Sequence, residues 1–151
     1  MDVYQGYRSV IAAMTAEDGM LPATIFMKAI NQEDFIRFLR KLRAKFKQRP
    51  LALFQDNLSV HKAKSVKQEY ERLNVLPIFN VGYSPEFNSV EALFSKIKAV
   101  FVRLRLNNLV NRRGFNFDRT IDEAFLSISV AHCAACVRKS RHLLEKAAQL
   151  P

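Results

Sequence analysis

Two acids in this chain stand where metal-dependent chemistry could use them. Asp56 closes a short apolar run, LALFQ, and is followed by Asn57 and then by His61. Glu91 comes after a tight turn, Tyr83-Ser84-Pro85, and after Asn88-Ser89, at the head of an amphipathic segment. The two acids are 35 positions apart. Carboxylates at a strand end and a helix start are hard oxygen ligands, suited to Mg²⁺ or Mn²⁺. Two such ions activate water and stabilise the leaving oxygen in phosphodiester chemistry. Each residue also has a purely structural use. Asp56 can cap the segment after its strand, and Glu91 can bond back to Asn88 in a capping box. His61 serves equally as a cap or surface residue, and Tyr83-Ser84-Pro85 is ordinary turn chemistry.

The elements that must position these acids follow from periodicity. Residues 51–55 form a short apolar strand; residues 61–73 form a helix with Ala63, Val66, Tyr70 and Leu73 inward; residues 75–79 form a second strand. Strand, helix, strand predicts a right-handed crossover, a parallel pair and strands buried on both faces. Ligand sites in such sheets lie at the carboxyl ends of strands, where Asp56 sits. Upstream, RSVIAAMTA and MLPATIFMK flank Glu17-Asp18-Gly19 and predict a hairpin, with Pro22 at an edge or strand entry. Asn31 caps a predicted helix over residues 32–47, whose Phe35, Phe38, Leu39, Leu42 and Phe46 share one stripe. Its other face carries Arg37, Arg40, Lys41, Arg43, Lys45 and Lys47. Such a face is solvated, or contacts phosphates or an acidic protein partner. After Glu91, the stripe Val90, Leu93, Phe94, Ile97, Phe101 and Leu104 predicts another helix; it also carries Lys96, Lys98, Arg103 and Arg105, a second candidate contact surface for nucleic acid or a partner. Residues 107–117 read as a polar connector, and Thr120-Ile121-Asp122-Glu123 as the capping-box start of a last helical region running to about residue 148.

With 151 residues, 49% hydrophobic and 25% charged, the chain fits one globular domain. No apolar run reaches the ~20 residues of a membrane span, and MDVYQGYRSV lacks the layout of a targeting signal. A net charge of +10 favours polyanions: nucleic acid, an anionic membrane face or an acidic protein. Cys133 and Cys136 are the two cysteines, and they fit an intracellular, reducing compartment (nucleus, cytoplasm or organelle interior) better than a disulfide framework. His132, Cys133, Cys136 and His142 invite a zinc site, but four ligands on one helix cannot close a tetrahedron, so helix packing is the expectation.

The run QDN-x3-H followed by YSPEFNSVE resembles the catalytic domain of mariner-type DDE transposases and their bacterial relatives. In that family the second acid lies in a D-N-x3-H context and the third follows Y-S-P-x-x-N-P-[IV]-E. Asp56, Asn57 and His61 match the first pattern; Tyr83, Ser84, Pro85, Asn88 and Glu91 match the second, with Ser89 in place of the usual proline. The resemblance covers residues 8–106 and leaves 107–151 as a helical extension of the same single domain. It implies an α/β, ribonuclease H-like fold: a mixed five-stranded sheet flanked by helices. It implies that Asp56 and Glu91 are inherited catalytic acids, holding Mg or Mn if the chain is active on DNA. The family's first Asp lies upstream of a segment like RSVIAAMTAEDG, and Asp2 is the one acid ahead of that segment, too close to Arg8 to end a full strand. The expectation is therefore a sheet lacking its first strand and a domain without the first metal ligand or a DNA-reading helix-turn-helix. Such a domain needs no cofactor and serves as a basic structural or interaction subunit of a larger assembly, docked through the open edge of the hairpin. Two other readings stand beside it: a fragment of an active transposase whose first Asp comes from a separate chain, and a nucleic-acid binder without catalysis.

Overall fold

The computed structural model describes residues 8–82, 84–111 and 114–149. Among them the chain forms six short strands and five helices of a mixed α/β fold. They divide between two compact units that interleave in sequence: residues 8–11 with 23–88, and residues 12–22 with 89–149.

The first of these units holds Ser9–Ile11 (β1) and Thr24–Phe26 (β4), paired antiparallel. Gln32–Phe46 (α1) begins at Asn31, whose side chain accepts the Asp34 amide at 2.9 Å, while the Asp34 carboxylate accepts the Asn31 amide at 3.3 Å. That reciprocal box satisfies two of the amides a helix start leaves unpaired. The stripe Phe35, Phe38, Leu39, Leu42 and Phe46 is buried as its spacing requires. Asp34 is buried with it, and its carboxyl is held below the usual carboxylate range, first by the Lys28 ammonium at 3.0 Å. Leu51–Gln55 (β5) and Val75–Phe79 (β6) pair in parallel, Leu51 opposite Val75 through Gln55 opposite Phe79. Between them run a 3-10 turn at Ser59–Lys62 and the helix Lys64–Arg72 (α2), which packs on β6 and α1 through Val66 and Tyr70.

The hairpin's inner pair, Met14–Thr15 (β2) and Gly19–Met20 (β3), belongs to the other unit. There it packs on Val130–Ala147 (α5), which with Phe117–Leu126 (α4) packs on Ser89–Val110 (α3). The core is Leu93, Ile97, Ala124, Ile128 and Cys133. Burial pushes the Cys133 thiol up, as for an inert core cysteine. Gly19 has φ +77°, and a Cβ there would meet Val130 Cγ2 at 2.9 Å. Gly19→Ala is expected to cost about 2–3 kcal/mol, from the left-handed backbone and the forced repacking together. A urea titration followed by circular dichroism measures it; a cost below ~1 kcal/mol contradicts this seat against Val130.

Several expectations need correcting. Among the described residues the strands pair as three two-stranded ladders rather than as one continuous sheet. The β5–β6 pair is not buried on both faces: Gln55 and Val75 are buried, while Leu76 and Ile78 are 63% and 41% exposed. Residues 107–110 are helical, because the Asn111 amide reaches the Asn107 carbonyl at 3.0 Å and extends the helical ladder. The last helical region is two helices. Its first is capped by Asn116, which accepts the Arg119 amide, so Thr120 lies inside α4 with its hydroxyl donating to the Asn116 carbonyl. Ser129 and His132 form a second capping box at the start of α5. Asp2 and Tyr83 lie outside the described residues. No single helix among the described residues is long and apolar enough to cross a membrane.

Candidate active site

The carboxyl ends of β5 and β6 are joined by a polar network. Where β5 ends, the Gln55 carbonyl accepts the Asn80 amide at 2.8 Å. Its side-chain amide donates to the Tyr70 hydroxyl at 2.6 Å, and burial raises Tyr70 above the usual phenol range. Asp56 follows, with one carboxylate oxygen 2.9 Å from His61 Nδ1 and 3.2 Å from the Leu58 amide. The second of these contacts is an Asx turn, which the side chain makes because the backbone leaves the strand here. His61 is placed by packing: its ring lies 4.4 Å from the Phe35 ring, and its side chain is 14% exposed. The Asn57 side-chain amide donates to the Asn80 carbonyl.

Asn80 is the residue that sequence reasoning missed. It is 8% exposed and sits where β6 ends. Its side-chain NH₂ donates to the Ser84 carbonyl at 2.6 Å, and its side-chain oxygen accepts the Val81 amide at 2.8 Å. It therefore fixes both the strand end and the turn that leads to the second motif. The signal was present in the pattern: an apolar strand ending in Asn, in step with the Gln55-Asp56-Asn57 end of its parallel neighbour. Asn80→Ala leaves two backbone groups unpaired and is expected to cost about 2–3 kcal/mol. It should also raise hydrogen exchange at the Val81 amide; an unchanged exchange rate would contradict the assignment.

Ser84 accepts the Phe87 amide at 3.3 Å, Pro85 opens a 3-10 turn over Pro85–Phe87, and its carbonyl accepts the Asn88 amide at 3.0 Å. Asn88 is 5% exposed. Thus Asp56, Asn57, His61, Ser84, Pro85 and Asn88 all belong to one compact unit. Glu91 lies in the other, in the first turn of α3, where a carboxylate complements the helix dipole.

The basic rows divide by use. On α1, Arg40 is 2.8 Å from Glu69, which Arg72 also binds. Arg43 donates to the carbonyls of Lys47, Arg49 and Asn74. Arg37 pairs with Asp34 at 3.5 Å. Arg40 and Arg43 staple the helix to distant segments, whereas the Arg37 pair lies within the helix; Arg37, Arg40, Lys41, Lys45 and Lys47 are all exposed. On α3, Lys96, Lys98, Arg103 and Arg105 are all exposed.

Among the described residues no three His, Cys, Asp or Glu side chains converge to hold a metal ion. His132 and Cys133 are used instead in the α5 cap and the core. Asp56 and Glu91 offer carboxylate oxygens of the kind Mg²⁺ or Mn²⁺ takes, and they fall in separate compact units.

The family profile described as DDE superfamily endonuclease matches residues 5–109. The chain belongs to the DDE superfamily. No curated protein matches this DDE domain. Among solved structures, the pre-cleavage Mos1 transpososome is similar to it over 91% of the chain and 42% of the transposase chain, with a TM-score of 0.70 and 18% identity. The Mos1 transposase catalytic domain, solved with raltegravir and Mg, is similar over 91% of the chain and 71% of that domain, with a TM-score of 0.66 and 16% identity. A chain of the simian T-cell lymphotropic virus intasome, solved in complex with PP2A regulatory subunit B56 gamma, is similar over 77% of this chain and 40% of its own, with a TM-score of 0.61 and 16% identity. These similarities bear out the ribonuclease H-like fold. The DDE domain spans less than half of the transpososome and intasome chains.

Proposed function

We propose that this transposase DDE-type domain does not cut DNA by itself and works as a basic structural or interaction subunit of a larger intracellular assembly. The observation that carries this is the use made of Asp56. One of its carboxylate oxygens is already engaged by His61 and by the Leu58 amide, closing the loop after β5. The net charge of +10 suits an acidic partner surface. The test is a nuclease assay on supercoiled and linear DNA with Mg²⁺ or Mn²⁺, run beside calorimetric titration of each metal. Expected are no cleavage above background, no saturable metal binding below millimolar concentration, and no change in either for Asp56→Asn. Metal-dependent cutting that is lost in Asp56→Asn overturns the proposal.

A second reading has its own support. The similarity to the Mos1 pre-cleavage transpososome and to the Mos1 transposase paired-end complex with left transposon end favours a part of an active metal-dependent transposase. In that reading Asp56 and Glu91 are two of its metal ligands, and Mg or Mn is the cofactor. It predicts that cleavage appears when the remaining acid is supplied by a separate chain.

A further inference from the structure

Helix α3 carries apolar residues on two faces. Leu93 and Ile97 are buried in the core of their unit, with Phe94, Val100, Phe101 and Leu104 packed partly against it. The remaining face is exposed and has its own order. Ser95, Ala99, Val102, Leu106 and Leu109 recur at alternating intervals of four and three, the spacing of a helix–helix seam. All five are exposed, with Val102 at 52%, Leu106 at 55% and Leu109 at 57%. This exposed row runs for ~21 Å at 1.5 Å per residue.

Charge decides what can lie on this seam. Lys96 and Arg103 flank it on one side, Lys98 and Arg105 on the other, at the positions that set partner choice in helix pairs. Among the described residues no carboxylate pairs with any of the four, although Arg105 also stacks over the Phe115 ring at 5.7 Å. A second copy of α3 would bring like charges face to face along both flanks, in either orientation. A phosphate backbone would satisfy the cations but has no use for Val102, Leu106 and Leu109 between them. A helix with an apolar stripe and acidic flanks satisfies both features.

We propose that the outward face of α3 is the docking site for an amphipathic helix of a partner protein, with apolar residues facing Val102, Leu106 and Leu109 and Asp or Glu facing the four cations. This deepens the interaction role proposed above and rests on it. The nuclease assay reports on that role, whereas the titration below reports on this surface alone.

The probe is a labelled synthetic peptide of three heptads with Leu on the seam and Glu on both flanks, titrated against the full chain by fluorescence anisotropy. Binding is expected to be saturable and to weaken at least about tenfold for Leu106→Asp. The double variant Arg103→Glu/Arg105→Glu should lose the Glu-flanked peptide and gain a Lys-flanked one. All three positions are exposed; the charge reversal gives up the stacking of Arg105 on Phe115 but leaves Val102, Leu106 and Leu109 in place, so it serves if Leu106→Asp alters the helical signal. No binding of the Glu-flanked peptide overturns the proposal. So does equal binding of a scrambled peptide of the same charge. Duplex DNA binding that depends on Arg103 and Arg105 but not on Leu106 would show a phosphate surface instead. Self-association of the chain in sedimentation, lost in Leu106→Asp, would show a second copy instead.

Discussion

Leu39→Ala is expected to lower the unfolding free energy by about 3–4 kcal/mol. Leu39 is 0% exposed, in the middle of the stripe that runs from Phe35 to Phe46 along α1. Removing its terminal carbons loses their transfer free energy and leaves a void, because the neighbouring side chains are aromatic rings and a leucine on a helix that cannot collapse into it. Domains of this size carry roughly 5–15 kcal/mol in total, so the loss is a large share. Urea denaturation followed by circular dichroism at constant m-value measures it. Leu126→Ala is the control: Leu126 is 84% exposed, and its truncation should stay within ~0.5 kcal/mol. A Leu39→Ala cost below ~1.5 kcal/mol would mean that the stripe is not packed as described.

The second large effect concerns the cluster of Glu69, Arg40 and Arg72. Glu69 is 6% exposed, with Arg72 at 2.5 Å and Arg40 at 2.8 Å. Hydrogen bonds from Arg72 and then from Arg40 lower its carboxyl from 4.5 to about 2. Because the folded value is depressed, this contribution is present above about pH 4.5 and is lost as pH falls toward 2. Taken whole, the shift corresponds to ~3 kcal/mol. Both guanidiniums are more than half exposed, at 56% and 59%, so screening leaves about 1–2 kcal/mol. The two ways of breaking the cluster are unequal. Glu69→Gln frees two arginines that already face water and should cost about 1–2 kcal/mol. Replacing Arg40 and Arg72 together by Met strands a buried carboxylate and should cost about 3 kcal/mol at neutral pH. Stability measured from pH 7 to pH 2 checks both claims. In Glu69→Gln, the part of the acid-induced loss that falls between about pH 4.5 and 2 should shrink. An unchanged acid limb would remove Glu69 from the account.

The elements differ in how far they could be read in advance. Helix α1 was legible end to end because its cap, stripe and length are all local properties of one segment. The β5–α2–β6 unit was legible for the same reason, as was the placing of Asp56 at a strand end. The α3 terminus was not, because Asn107 and Asn108 look like loop residues until the hydrogen-bond ladder carries the helix past them. The start of α4 was misplaced because Thr120 to Glu123 satisfies the capping pattern, whereas Asn116, which does the capping, has no acidic partner three residues on. Arg40 and Arg43 read as part of a basic face, and only their partners from Glu69 to Asn74, far along the chain, make them staples.

The sequence by itself determined the membership in the DDE superfamily, the parallel pair with its acid at the strand end, and the basic balance of the surface. These follow from residue type and short-range spacing, which a linear reading retains. Only the tertiary structure decided that Asn80 ties the strand ends together, that Glu69 consumes two arginines, that Asp56 and Glu91 fall in separate compact units, and that α3 turns one apolar face inward and one to solvent. Each of those depends on which distant segments meet, and therefore on which groups are desolvated and which remain in water.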